Sequence, residues 1–143
     1  MHVMKRLMTL CVGVALVLTS ALAAQVPSKD LAGSWALDVE KSKPKDGPAL
    51  VVITLSDKDF TTRFGSATAR VMPFKLDGTE TAVGENYKTK AVWKGSKLEA
   101  TVASPTYTET ITFFREGEYL VMEGSSREHG PLKFYFKKAP AGL

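Results

Sequence analysis

Tyr87-Lys88-Thr89-Lys90-Ala91-Val92-Trp93-Lys94-Gly95-Ser96-Lys97-Leu98-Glu99-Ala100-Thr101-Val102 reads as two strands joined by a tight turn. In its first half Tyr87, Thr89, Ala91 and Trp93 oppose Lys88, Lys90 and Lys94, a period of two that places one face in a core and the other in water. Lys94-Gly95-Ser96 then turns the chain into Leu98, Ala100 and Val102. No helical stripe fits this pattern.

The same unit recurs in both directions along the chain. Upstream, Ala49, Val51, Ile53 and Leu55 share one face, then Phe60, Thr62 and Phe64 share another. Thr68 to Leu76 contains Pro73, which removes a ladder donor, so this segment is expected at an edge or as a bulged strand ahead of an Asp77-Gly78 turn. Ala82 to Asn86 bends at Gly84. Downstream come Tyr107 to Phe114, a turn at Glu116-Gly117, Tyr119 to Gly124, and Leu132 to Lys137. Strands every ~10 to 12 residues indicate an all-β barrel or sandwich. Consecutive short turns favour a single up-and-down antiparallel barrel of 8–10 strands, in which the last strand closes on the first and leaves no exposed edge.

The N-terminus has a different character. Lys5 and Arg6 precede an apolar run from Leu7 to Leu18, and Ala21-Leu22-Ala23 supplies small residues at a cleavage position. The run is shorter than the ~20 residues a spanning helix needs, so residues 1–23 read as a cleavable signal peptide and residues 24–143 as one barrel domain. A periplasmic or secreted location, without a stable membrane anchor after processing, is the expectation. Removing Lys5 and Arg6 lowers the 19 basic residues to 17 against 15 acidic ones, so the net charge falls from +4 to +2. That near-neutral balance, without a dense basic block, excludes nucleic acid as a partner. The single cysteine, Cys11, leaves with the signal, which excludes disulfides, thiolate metal sites and a lipidated processed end. Of the two histidines only His129 remains, so no cofactor and no metal are expected.

Leu31-Ala32-Gly33-Ser34-Trp35 opens the first strand of the domain. It resembles the opening of lipocalins and fatty-acid-binding proteins, and Gly33 to Ser42 is similar to the Gly-x-Trp-x-Leu-x-x-Glu-Lys-Ser opening of short bacterial exported lipocalin-like proteins. The resemblance implies that Gly33 and Trp35 close one end of the barrel, and that a basic side chain from a late strand packs over the indole, with Arg127 and Lys137 as candidates. It also implies a ligand site where fatty-acid-binding proteins carry Arg-x-Tyr, which here reads Lys133-Phe134-Tyr135. Burying Leu132, Phe134 and Phe136 would put Lys133 outside, so the direction of that strand stays open. The helix pair that follows the first strand in fatty-acid-binding proteins has no counterpart, because Glu40 to Pro48 is too short and too polar.

Two further carboxylates interrupt apolar faces: Glu109, in phase with Tyr107, Ile111 and Phe113, and Glu123, in phase with Tyr119 and Val121. Facing inward, they and Arg127 would place charge in the barrel; with the alternation inverted, Thr108, Thr110, Thr112 and Phe114 would line the core instead, and a third arrangement leaves Glu109 and Arg127 as rim residues wetted by solvent. No nucleophile and base are spaced for catalysis, since Ser125, Ser126 and His129 share a turn-like segment. The chain is therefore expected to be a non-enzymatic, monomeric carrier of a small apolar or amphipathic molecule. Tyr107, Glu109, Phe113, Glu123, Arg127, Lys133 and Tyr135 are its candidate ligand contacts. The alternative is a protein-binding module, an inhibitor or envelope accessory protein, whose barrel is filled by its own phenylalanines. Purified from its host, the mature chain should begin at Ala24; an intact mass that retains residues 1–23 would overturn the export reading.

Overall fold

The computed structural model describes residues 28–126 and 130–140, so the expected signal peptide and Arg127 lie outside the described residues. After a short 3-10 turn at Lys29–Leu31 the chain forms ten strands: β1 (Gly33–Leu37), β2 (Leu50–Leu55), β3 (Asp59–Phe64), β4 (Val71–Lys75), β5 (Thr81–Val83), β6 (Tyr87–Lys94), β7 (Lys97–Ala103), β8 (Thr108–Glu116), β9 (Tyr119–Ser126) and β10 (Gly130–Lys138). All pairings are antiparallel, in the order β4-β3-β2-β1-β10-β9-β8-β7-β6-β5. The last strand pairs with the first, as in an up-and-down barrel, through Trp35↔Lys138 and Leu37↔Phe136.

The break in the meander falls between β4 and β5, the two ends of the sheet. Pro73 lies in β4, where a missing N–H is tolerated. Side chains and the following turn draw the seam together: Thr89 of β6 donates its hydroxyl to the Pro73 carbonyl, and the Gly78 amide donates to Ala91 at 3.1 Å. Asp77 bridges Val92 beside them. Gly78 turns with φ +80, which an L side chain rarely adopts, and the Asp77 carboxylate accepts the Thr79 amide at 2.9 Å. The barrel is nearly closed.

Inward positions follow the period of two. Val51 and Ile53, Phe60 and Thr62, Ala91, Leu98 and Ala100, Phe113, Leu120 and Met122, and Phe134 and Phe136 are buried. One end of the barrel is solid. There Trp35 and Leu31 are fully buried, and the indole N–H donates to the Leu31 carbonyl at 3.0 Å. Phe60, Phe74 and Phe113 pack above them, with ring centroids 5.3 and 5.5 Å from that of Phe60. Replacing Thr89 with Val should lower unfolding stability by about 1–3 kcal/mol, because the Pro73 carbonyl loses its partner at a half-buried seam. Urea denaturation measures this, and faster hydrogen exchange at the Gly78 amide would locate it to the seam.

Candidate functional site

At the end opposite Trp35 the interior opens into a cavity of about 260 Å³. Phe64, Ile111, Met122, Leu132 and Phe134 supply its apolar walls, and Glu109 its carboxylate. Gly124 contributes room: it sits opposite Ile111 on β8 and Leu132 on β10, so an inward position carries no side chain. Its backbone is close enough that a Cβ would lie 3.3 Å from the Thr110 carbonyl.

The loop between β1 and β2 covers part of this mouth. Ser42 is fully buried; its hydroxyl donates to the Asp38 carbonyl at 2.6 Å and accepts the Tyr135 amide at 2.9 Å. Lys43 and Lys133 exchange backbone hydrogen bonds of 2.9 and 2.8 Å, which pins the loop alongside β10. The chain then dips to Gly47, where a Cβ would fall 2.5 Å from the Phe134 ring, and to Pro48, which borders the cavity. Only glycine fits that approach.

The register separates the two glutamates. Phe113 and Phe134 both pair with Met122, so β9 turns Leu120, Met122 and Gly124 inward and Tyr119, Val121 and Glu123 outward. On β8 the inward set is Glu109, Ile111 and Phe113, and Glu109 is half-buried. The inverted reading, with Thr108, Thr110, Thr112 and Phe114 lining the core, does not occur; Phe114 lies on the other face, with the Lys97 ammonium over its ring.

Several sequence candidates therefore need correction. Glu123, Lys133 and Tyr135 present their side chains on the outer face, where Lys133 and Glu123 form an ion pair at 3.4 Å. Tyr135 first, and Glu123 after it, hold the Lys133 ammonium above its ordinary range. The inward apolar set Leu132, Phe134 and Phe136 forces this arrangement. Glu123 borders the cavity between Met122 and Gly124 while its carboxylate faces out. Phe113 is buried in the solid core and is not among the residues lining the cavity. Tyr107, 44% exposed, stands at the rim just before β8. Partial burial, together with Tyr87 and Glu109 close by, holds its phenol above the ordinary value of 10.0.

Lys137 does not pack over the indole either; it points outward to Asp38 and Tyr119. Arg115 and Lys138 take that place, at 4.9 and 4.7 Å from the Trp35 ring centroid. Arg115 continues the inward phase of β8 and donates to the carbonyls of Asp30, Gly117 and Tyr119. Its signal in the sequence was its phase with Phe113, two residues earlier. Gly33, with φ +129, lies under Lys138, whose Nζ would be 2.7 Å from a Cβ there.

Among the described residues no three His, Cys, Asp or Glu side chains gather as a metal site, and no helix is long and apolar enough to cross a membrane. No protein-family model matches the sequence, and no curated protein matches it. The fold does have solved counterparts. Human cRBP IV is 20% identical over 78% of this chain and all of its own, with a TM-score of 0.62. The fluorescent protein UnaG is 16% identical over 77% of this chain and 98% of its own, with a TM-score of 0.57. Secretory abundant heat soluble protein 4 from Ramazzottius varieornatus is 16% identical over 81% and 99%, also at 0.57. These similarities establish the fold alone: an up-and-down antiparallel β-barrel like those of cRBP IV and UnaG.

Because the folded barrel holds the Tyr107 proton more tightly than the unfolded chain, the stability due to this group is intact below pH 10 and declines as the pH rises through and above it. Tyr107→Phe should flatten that decline in urea titrations on either side of pH 10.

Proposed function

We propose that this protein is an exported carrier that holds one small apolar or amphipathic molecule in the open half of its barrel. The observation behind this reading is the apolar cavity itself, about 260 Å³ and walled by Phe64, Ile111, Met122, Leu132 and Phe134. Its size is just under the usual range for small-molecule sites, which suits a compact ligand. Trp35, Phe60, Phe74 and Phe113 occupy the other half, so a long chain cannot thread the full barrel. The N-terminal sequence supports export, as Lys5, Arg6 and the run from Leu7 to Leu18 precede a small-residue box.

A protein-binding role draws on a different surface. On the outer face Tyr119 and Tyr135 meet edge to face at 5.7 Å, with the Lys41 ammonium 4.0 and 4.7 Å from their ring centroids. Lys133 and Lys137 flank the pair. Aromatic and cationic side chains concentrated in this way suit an acidic partner.

Native mass spectrometry of the protein from its own host, before and after organic extraction, separates the two readings. A discrete extractable adduct is expected. Filling the cavity by Ile111→Trp should remove the adduct and weaken binding of an apolar dye by at least about tenfold, or roughly 1.4 kcal/mol. A bare mass combined with no dye binding would overturn the carrier reading in favour of the outer face.

A further inference from the structure

We infer that the ligand of this cavity presents a cationic, hydrogen-bond-donating head, an amine on a compact apolar body, and not a carboxylate. The inference rests on the carrier reading above and assigns the chemistry of its polar end.

Glu109 is the carboxylate that the β8 register turns toward the cavity, in line with Ile111 and across from Val102. A half-buried carboxylate against apolar walls is destabilised unless a cation or donors answer it. Among the described residues no side chain donates a hydrogen bond to Glu109, and none of the ion pairs includes it.

Among the described residues, the cations on β8 and β10 point away from the cavity. Arg115 and Lys138 lie against Trp35 at the closed end and donate to backbone carbonyls there. Lys133 is outside, paired with Glu123. A carboxylate ligand entering beside Glu109 would bring like charges together in a poorly solvated space.

The rim around Glu109 is also suited to a cation. Tyr107 stands close enough to Glu109 and Tyr87 to be influenced by both, and Tyr87 shares the inward phase of Thr89 and Ala91 on β6. A phenol ring at the rim beside the Glu109 carboxylate offers an ammonium group an ion pair and a π-face.

The test compares octylamine, octanol and octanoate, which share a chain length and differ in the head, as displacers of an apolar dye at neutral pH. There the amine is protonated and the acid ionised. Octylamine should displace the dye at about tenfold lower concentration than octanol, with octanoate weakest. Glu109→Gln, which keeps the side-chain shape, should erase the difference between amine and alcohol and improve octanoate. Glu99→Gln, on the outer face of β7 beside Lys94, should leave the order unchanged and controls for folding and net charge. Octanoate as the tightest of the three would overturn the inference while leaving the carrier reading standing. Failure of the dye and of all three compounds to bind would overturn both.

Discussion

The Trp35 indole, buried at one end of the barrel with its N–H on the Leu31 carbonyl, sets what the rest of the molecule can do. Arg115 from β8 and Lys138 from β10 lie over its ring, so the first strand, the 3-10 turn and two late strands meet on one side chain. Arg115 also satisfies carbonyls of the 3-10 turn and of the β8–β9 turn, which closes the base. A barrel of this width is close to being filled by its own side chains. With one end packed around Trp35, Phe60 and Phe113, the cavity walled by Ile111, Met122 and Phe134 lies toward the other.

What occupies that other end follows from where small residues interrupt the inward rows. Gly124 removes a side chain from β9 between Ile111 and Leu132, and Gly47 lets the β1–β2 loop approach the Phe134 ring. The loop is held by backbone bonds to β10 and by the buried Ser42 hydroxyl, not by an apolar face of its own. It therefore borders the cavity without filling it.

The two glutamates show how register turns similar sequence into different chemistry. Glu109 and Glu123 each sit among alternating apolar residues, but adjacent strands pair Phe113 and Phe134 with the same Met122. That shared partner fixes β9 with Met122 inward and sends Glu123 to the surface, where Lys133 meets it. On β8 the same constraint leaves Glu109 facing the cavity. Burial of three large apolar side chains outweighs the preference of one carboxylate for water.

The sequence by itself determined the all-β class, the positions of most turns and the role of the first strand, because strand alternation, Gly turns and a Gly-x-Trp opening are local signals. Pro73 likewise announced a strand with a free side, since its missing N–H is a property of the residue alone. Only the tertiary structure decided that the seam lies between β4 and β5, that Arg115 and Lys138 and not Lys137 flank the indole, and that of the candidate ligand contacts Glu109 faces the cavity while Glu123, Lys133 and Tyr135 face outward. The physical reason is that a period of two defines two faces without labelling them. Which face is inside is chosen by the partners across each ladder, many residues away, and a shift of one residue would exchange them.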